Sequence, residues 1–329
     1  MLTTSVKGRA FDYNRVVGGR ALRGIIYATK GVGNDFFIVL RDTYGSDVIK
    51  LTIGPTVDDE EIVISFREVL EENFDGAWPS CAVFDGEHLL VTDELRNILS
   101  VFTPQGDLVK TLGGDGEIQF NRPSGITIDS DNNVYVADTL NHRVQKFSPD
   151  LVFIQSWGEF GETDGLFNAP WGICTDSDNF VYVADHKNHR VQKFNADGAF
   201  IMSVGEFGSG ASNLNHPSDV SVDESGDIYV ADWVNNRVQI YDSTGIHIAN
   251  LTGSAVELSK WQKQYVAASP DVYKARRRVP SLEPETLFAL PTCVSFDDST
   301  SRLLAVDSQR WRIQIFDKIT NYSDPQFNI

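Results

Sequence analysis

The stretch Arg122–Phe147 reads RPSGITIDSDNNVYVADTLNHRVQKF, and the same pattern occurs twice more along the chain. The second copy, from Ala169, is APWGICTDSDNFVYVADHKNHRVQKF, and the third, from His216, is HPSDVSVDESGDIYVADWVNNRVQIY. The three copies align without gaps, and self-similarity at a fixed period is the signature of a repeat architecture. The repeat therefore decides the fold class before any single residue is interpreted.

The repeat has a period of 47 residues, which separates the anchoring prolines Pro123, Pro170 and Pro217. Within a copy, short runs of β-branched and aromatic residues are separated by Asp, Asn and Gly, a pattern typical of strands joined by tight turns. Four strands in this period fit one propeller blade, and because one blade cannot bury both its faces, several must stack around a ring. In the first copy the predicted strands are Gly125–Asp129, Val134–Ala137, Arg143–Phe147 and Val152–Trp157.

Three weaker copies bring the number of blades to six. They begin with LRGIIYA at Leu22, WPSCAVFD at Trp78 and LPTCVSFD at Leu290. The last copy has three clear strands ending near Phe316, and the segment Arg9–Gly18 (RAFDYNRVVG) resembles a fourth. We predict an all-β, six-bladed β-propeller whose ring is closed when this N-terminal strand completes the last blade.

The predicted blades form one domain, 1–329. The closing strand occupies 1–20, and the blades are assigned to 21–73, 74–120, 121–167, 168–214, 215–285 and 286–329. The fifth blade is longer than the others because it contains an insertion at 254–285, before blade six.

The segments Tyr135–Phe147 and Tyr182–Phe194 share the pattern YVADxxNHRVQKF, which closely resembles the NHL repeat. The resemblance extends over nearly the whole chain but weakens in the first two blades, where the Arg position holds Asp47 and Ile98. It implies a six-bladed propeller of NHL type, and NHL propellers commonly serve as protein-binding scaffolds. That expectation of function comes from the family and not from a site.

In each regular blade an Asp precedes an Arg by five residues, across the loop between the second and third strands. Because every regular blade repeats the pair, we expect it to hold this loop by a charge-assisted hydrogen bond rather than to take part in chemistry. The pairs are Asp138 with Arg143, Asp185 with Arg190, Asp232 with Arg237 and Asp307 with Arg312.

Candidate binding residues lie where the first strand of each blade begins, next to the central channel. This ring predicts a ligand or partner site at one mouth of the channel, although the same side chains would also line an unused, solvated channel. Asp219 is the one acidic residue at the adjoining inner positions of the first strands. The residues that follow the anchoring position are Arg23, Ser80, Ser124, Trp171, Ser218 and Thr292.

Two enzyme families with similar propellers indicate what a catalytic channel would require. Peptidyl-hydroxyglycine lyases place zinc-binding histidines at the ring position, where this chain has Ser, Trp, Thr and Arg, so the resemblance implies no zinc site here. Gluconolactonase-type propellers use carboxylate and amide ligands for a divalent cation, and Asp219 alone is a weak match. We predict no metal, no cofactor and no catalytic residue.

The insertion 254–285 is the least regular part of the sequence. Leu258, Trp261 and Tyr265 recur at helical spacing, and a second short helix is predicted from Ser269 to a run of three arginines. The insertion is net basic and should lie over the same mouth as the ring. It is either an amphipathic cap on blades five and six or a lid or docking element. Its candidate partner-binding residues are Trp261, Tyr265, Arg276, Arg277 and Arg278.

The composition limits the classes of partner. A formal net charge of -18 repels a phosphate backbone, so nucleic acid is not a predicted ligand. No apolar stretch has the length of a membrane span or a signal peptide, and three widely spaced cysteines suit free thiols in a reducing compartment. We therefore predict a soluble, cytoplasmic protein.

Two functions stay open from the sequence. The first is a non-enzymatic interaction or scaffold module that presents one face and the basic insertion to a protein partner in a larger complex. The alternative is a small-molecule hydrolase or lyase in the channel mouth, with a divalent metal, Arg23 as an anion anchor and Asp219 as a metal ligand or base. No nucleophile, base and orienting residue can be assembled from the sequence, so the alternative ranks second.

Overall fold

The computed structural model describes residues 3–6, 8–19, 22–42, 45–54, 58–66, 76–114, 116–269, 271, 274, 278 and 283–322. They form six antiparallel sheets, which confirms the predicted six-bladed β-propeller. The first strands of neighbouring blades contact each other all the way around the ring, so these strands surround the central channel.

Blades one to five are four-stranded sheets in which neighbouring strands follow chain order. Blade one contains β3 (Ile25–Lys30), β4 (Asp35–Asp42), β5 (Gly45–Ile53) and β6 (Asp58–Ser65). Blade two contains β7 (Pro79–Phe84), β8 (Leu89–Asp93), β9 (Ile98–Phe102) and β10 (Leu108–Gly113). Blade three contains β11 (Pro123–Ile128), β12 (Val134–Asp138), β13 (Arg143–Phe147) and β14 (Phe153–Trp157). Blade four contains β15 (Pro170–Thr175), β16 (Val181–Asp185), β17 (Arg190–Phe194) and β18 (Phe200–Val204). Blade five contains β19 (Pro217–Val222), β20 (Ile228–Asp232), β21 (Arg237–Tyr241) and β22 (His247–Leu251).

Blade six combines both ends of the chain. Strand β2 pairs with β25 from Arg9 opposite Thr320 to Gly18 opposite Arg312, which confirms that the N-terminal strand completes this blade. Strand β25 continues beyond the predicted end at Phe316, and β1 adds a fifth strand outside β2. From the channel outward the order is β23 (Pro291–Asp297), β24 (Arg302–Asp307), β25 (Arg312–Thr320), β2 (Arg9–Gly18) and β1 (Thr3–Val6).

The second strands explain why blades stack. Strands β8, β12, β16 and β20 are buried at every position, because neighbouring blades cover both of their faces. The hydrophobic core is accordingly divided into clusters between adjacent blades. One such cluster joins Tyr135 and Val144 of blade three to Ile173 and Phe194 of blade four.

Helices are confined to connections. The insertion contains α1 (Lys260–Ala268) and α2 (Glu283–Thr286), and α2 was not predicted. Ser259 caps α1, because its hydroxyl accepts the Gln262 N–H while the Gln262 side chain accepts the Ser259 N–H. The predicted second helix from Ser269 lies largely outside the described residues.

A buried charge network joins the closing blade to blade five. The Lys318 ammonium on β25 donates to Asp223, to Asp227 at 2.8 Å and to Ser225 at 2.7 Å. Arg9 on β2 also pairs with Asp227, at 2.5 Å. Because Lys318 and both carboxylates are almost fully buried, each charge depends on the others for compensation.

Replacing the ammonium of this network should destabilise the ring. We expect Lys318→Met to lower the free energy of unfolding by about 3 kcal/mol, since it leaves two buried carboxylates with less compensation. The measurement is the urea midpoint at neutral pH. Lys110→Met is the matched control, because Lys110 donates to the Asp150 carbonyl at an exposed site and its loss should cost less than about 0.5 kcal/mol. Equal losses in the two variants would show that the network does not stabilise the closure.

Candidate interaction face and channel mouth

The antiparallel blades place two kinds of connection at the same end of the ring, here called the upper face. They are the loops between the second and third strands (b–c loops) and the connections from a fourth strand to the next blade (d–a connections). The remaining hairpin turns form the lower face. The candidate residues at the starts of the first strands therefore belong to the upper face or to the channel beneath it.

The predicted Asp–Arg pairs hold the upper face together. In blade three, Asp138 accepts the Arg143 Nε–H at 2.9 Å, the Gln145 amide at 2.9 Å and the backbone N–H of Asn121 at 2.7 Å. Arg143 in turn donates to the Gln119 carbonyl of the d–a connection at 2.9 Å. The same Asp-to-Arg contact recurs at 3.0, 2.7 and 2.7 Å in blades four, five and six. These residues are structural, as expected from their repetition.

The histidines of the NHR motif connect neighbouring blades. His142 Nδ1 accepts the backbone N–H of Ala169 at 3.0 Å, and His189 Nδ1 accepts that of His216 at 3.1 Å. In blade five Asn236 does the same through its side-chain oxygen. Because the acceptor must be an unprotonated nitrogen, these two imidazoles carry their proton on Nε2. Burial lowers the pKa of both histidines, which is consistent with neutral rings.

Three serines of the predicted ring have structural partners. The hydroxyls of Ser80, Ser124 and Ser218 each donate, at 2.9 Å, to a carbonyl at the start of the first strand in the following blade. Thr292 and Trp171 differ from them. Among the described residues Thr292 Oγ1 has no hydrogen-bond partner although the atom is buried, and Trp171 belongs to an aromatic cluster.

Arg23 does not occupy the ring position that the sequence assigned to it. In blade two Pro79 pairs with Asp93, whereas in blade one the corresponding pair is Ile25 with Leu40, so Ile26 is the ring residue. Strand β4 continues past Leu40 and ends at Asp42, which pairs with Gly45 at the start of β5. The sequence comparison matched Asp42 to the aspartate that ends the second strand in other blades, and it therefore assigned the ring position of blade one to the wrong residue. Arg23 instead pairs with Asp42 at 2.9 Å and lies over the Trp311 ring.

The channel mouth opens into a cavity of about 80 Å³, enough for several water molecules. Ring residues line it above. The next residue of each first strand lines or borders it below, and this second layer is mixed in chemistry. Around the ring it consists of Tyr27, Cys81, Gly125, Gly172, Asp219 and Cys293.

Asp219 is the charged group of this second layer, and it is 1% exposed. Its Oδ2 accepts the Val294 N–H of blade six at 3.0 Å, while its Oδ1 has no hydrogen-bond partner among the described residues. Oδ1 lies against Gly172, where a Cβ would approach it to 2.3 Å. Burial raises the pKa of the Asp219 carboxyl to about 7, against the opposing hydrogen bonds from Val294, Cys293 and Val220.

Aromatic rings occupy one side of the mouth. The Trp171 ring is 4.1 Å from His186 and 6.0 Å from Trp233, and His186 is 4.9 Å from His216. Burial lowers the pKa of His186 to about 4, so this imidazole is neutral at physiological pH. The opposite side of the mouth is polar.

An ion pair occupies that polar side. Arg41 pairs with Glu94 at 2.8 Å, and its guanidinium lies over the Trp78 ring at 4.8 Å from the ring centre. Since Glu94 neutralises Arg41, the mouth carries no net charge from this pair. The mouth is therefore asymmetric, with an aromatic side and a neutralised ionic side above a buried carboxyl.

The insertion packs on the rim of the upper face. Trp261 of α1 packs against the cluster between blades six and one, and the Ser259 hydroxyl donates to the Gly18 carbonyl of β2. The predicted contact with blades five and six is thus shifted by one blade. Tyr265 is 37% exposed and lines a second cavity of about 360 Å³ beside blade six. Arg276 and Arg277 lie outside the described residues, and Arg278 is exposed.

The described part of the insertion does not line the channel cavity. Its lining comes from the first strands, from Arg41 on β4 and from Glu94 after β8, and no described residue of 254–285 contributes to it. The described part of the insertion therefore flanks the mouth and does not cover it.

Exposed aromatic side chains are concentrated on the upper face. Of the six that are exposed in the described part of the chain, only Phe153 lies elsewhere, on the outer strand of blade three. The sequence analysis missed most of these residues, because the exposure of an aromatic residue in a loop cannot be inferred from the periodicity of hydrophobic residues. The five residues on the upper face are Trp78, Phe160, Phe207, Tyr265 and Trp311.

Across the described ranges, no group of three or more His, Cys, Asp or Glu side chains has the arrangement of a metal site. Within those same ranges, no helix combines the length and the apolar character needed to cross a bilayer. The three cysteines are free thiols.

The chain resembles known proteins mainly in its regular blades. Residues 120–147, 167–194 and 214–241 match the NHL repeat family. A segment of 48 residues is 44% identical to Protein brain tumor of Drosophila melanogaster, and one of 85 residues is 33% identical to NHL repeat-containing protein 2 of Gallus gallus. These matches cover 15% and 23% of this chain but only 5% and 12% of the relatives, so they compare one region and not whole proteins.

A solved structure of a protein of unknown function from Bacteroides thetaiotaomicron is similar over most of the fold. It covers 94% of this chain and 73% of its own, with a TM-score of 0.62 and 13% sequence identity. At this level of identity the similarity concerns the fold alone.

The free energy of unfolding should depend on pH through the charge of Asp219. At pH 8 the carboxyl is ionised in both the folded and the unfolded protein, and burying it is unfavourable. As the pH falls through 7 the folded protein takes up a proton, whereas the unfolded chain does so only near 3.8. Asp219→Asn should therefore raise the free energy of unfolding by about 2 kcal/mol at pH 8, and the gain should shrink toward pH 5.

The other titratable groups near Asp219 should not obscure this test. Tyr27, Cys81, Cys174 and Cys293 all have raised pKa values, so they stay neutral between pH 5 and 8. Asp232→Asn is the contrasting variant, because it removes a paired carboxylate and should destabilise the protein at both pH values. A loss of stability in Asp219→Asn at pH 8 would contradict the assignment of an unpaired charge.

Proposed function

This chain is an NHL-repeat β-propeller, and on that premise we propose that it is a non-enzymatic protein-interaction module that binds its partner through the upper face. The observation that carries the proposal is the concentration of exposed aromatic side chains on that face. Aromatic residues are enriched at the centres of protein interfaces, where a few of them supply most of the binding energy.

Phe160 and Phe207 are the most exposed of these aromatic residues, at 66% and 67%. They occupy equivalent positions in neighbouring d–a connections, and each packs against a motif histidine. The ring centres of Phe160 and His142 are 5.1 Å apart, and those of Phe207 and His189 are 4.5 Å apart. Because the histidines are fixed by their bonds to the next blade, both phenylalanines are presented in defined positions, which lowers the entropy lost on binding.

A protein partner fits this face better than nucleic acid. Exposed aromatic rings can also stack on bases, but single-stranded nucleic acid binding combines such rings with a positively charged groove. The net charge of -18 opposes a phosphate backbone. The insertion extends the same face through Tyr265, which makes it part of the proposed contact surface.

The proposal is tested by comparing variants of the two faces. Phe160→Glu with Phe207→Glu should reduce recovery of the proteins that co-purify with the chain by at least about tenfold, since both anchors are lost. The control is Val32→Glu with Ile246→Glu, which adds the same charge at two exposed apolar residues in lower-face turns. Quantitative mass spectrometry of the co-purified proteins gives the readout, with thermal unfolding of each variant as a check on folding.

Unchanged recovery with the upper-face variant would contradict the proposal. So would an equal loss with the lower-face variant, because the effect would then follow from charge and not from the face.

A further inference from the structure

Two residues that line the channel cavity have buried oxygen atoms without hydrogen-bond partners among the described residues. Asp219 Oδ1 and Thr292 Oγ1 have no hydrogen bond within the described chain, and both residues line the same cavity below the mouth. They belong to the first strands of adjacent blades, β19 and β23. Buried polar atoms are nearly always paired, so two orphan acceptors in residues that line one cavity indicate a group that binds there.

The charge of the Asp219 carboxylate restricts which ligands can bind in the cavity. An ionised carboxylate away from water is stabilised by a positive charge or by several hydrogen bonds, and the Val294 N–H reaches Asp219 at Oδ2 and not at Oδ1. Arg41, the arginine among the residues that line the cavity, is already paired with Glu94. A ligand with its own positive charge would compensate the carboxylate.

We propose that the channel binds a protonated primary amine, with its ammonium group donating to Asp219 Oδ1 and Thr292 Oγ1 and its alkyl part directed to the mouth beside Trp171. The donor and acceptor chemistry matches, because an ammonium group has three N–H donors and no acceptor, while a carboxylate oxygen and a hydroxyl oxygen both accept. The aromatic side of the mouth is also suited to an alkylammonium, which gains from contact with the face of a tryptophan.

The site fits an ammonium group better than a metal ion. Calcium takes six to eight oxygen ligands, and magnesium requires six in octahedral geometry. The site offers one free carboxylate oxygen and one hydroxyl, and the described residues contain no group of three or more potential metal-binding side chains. A primary amine needs fewer acceptors and tolerates an apolar wall such as Ile26 and Tyr27.

This inference does not depend on the protein-binding function of the upper face. The amine can be a free small molecule or the side chain of a lysine in another protein, since both present the same ammonium group. The overall negative charge of the protein favours the approach of either source.

Calorimetric titration at pH 8 tests the proposal with n-propylammonium chloride as the probe. We expect saturable binding to the wild-type protein and at least a tenfold weaker affinity for Asp219→Asn. Thr292→Val, which keeps the shape but removes the hydroxyl, should weaken binding by roughly tenfold, the effect of one hydrogen bond to a charged group. Asp164→Asn is the control, because it removes an exposed carboxylate of the same face and should leave the affinity unchanged.

Three further ligands separate the alternatives. Uncharged 1-butanol should not bind, and equal binding of 1-butanol would overturn the assignment of a cation site. A blocked Gly-Lys-Gly peptide that binds with the same dependence on Asp219 identifies a protein side chain as a source, whereas binding of the free amine alone identifies a small molecule; both outcomes support the ammonium site. Calcium that binds through Asp219 when propylammonium does not would overturn the proposal, as would amine binding that is unchanged in Asp219→Asn or absent in the wild type.

Discussion

A buried aspartate at the end of the second strand connects three parts of each regular blade. In blade three the carboxylate of Asp138 holds the d–a connection through the Asn121 N–H, and it holds the third strand through Arg143 and Gln145. A carboxylate that is fully buried is stable only when its lone pairs are satisfied, so the loop, the connection and the strand must keep one relative position. The upper face therefore has a fixed frame, and residues that vary from blade to blade are presented at defined positions on it.

The frame is incomplete in the first two blades, and there the channel mouth becomes polar. In blade two the Arg is replaced by Ile98, and Asp93 accepts the backbone N–H groups of Trp78, Leu95 and Arg96 instead. In blade one the Asp is itself replaced by Leu40. The Arg41–Glu94 pair lies between these two blades, opposite the aromatic cluster of blades four and five. The blades that lack the Asp–Arg pair are thus the ones that form the polar side of the channel mouth.

The fold could be predicted from the sequence because the strand pattern of one blade recurs six times along the chain. All eight predicted strand ends in blade three lie within two residues of the observed ones, and the closing strand Arg9–Gly18 has the predicted bounds. The blade-one register was misassigned because Asp42 resembles the aspartate that ends the second strand in the regular blades but lies beyond the equivalent position, in a longer hairpin. Regularity is thus a good guide only where each blade keeps the same loop length.

The site was less predictable, because its properties depend on what surrounds each residue. The sequence singled out Asp219 by position, but its burial and its orphan oxygen follow from the close approach of Gly172 and blade six. Ser80, Ser124 and Ser218 looked equivalent to Thr292, yet only the serines reach a carbonyl of the next blade. His186 joined the site through packing against Trp171, a contact between two separate parts of blade four.

The closure of blade six also sets the order in which the ring can be assembled. Strand β2 precedes all six first strands in the sequence, yet it pairs with β25, so Arg9 reaches Thr320 only after every other blade has been synthesised. Contacts between such distant residues slow folding, and an unpaired strand edge is open to other chains in the interval. Until β25 has been synthesised, β2 can pair only with β1, and its other edge lacks its partner. A chaperone that covers this edge in the nascent chain would keep it from pairing with other chains.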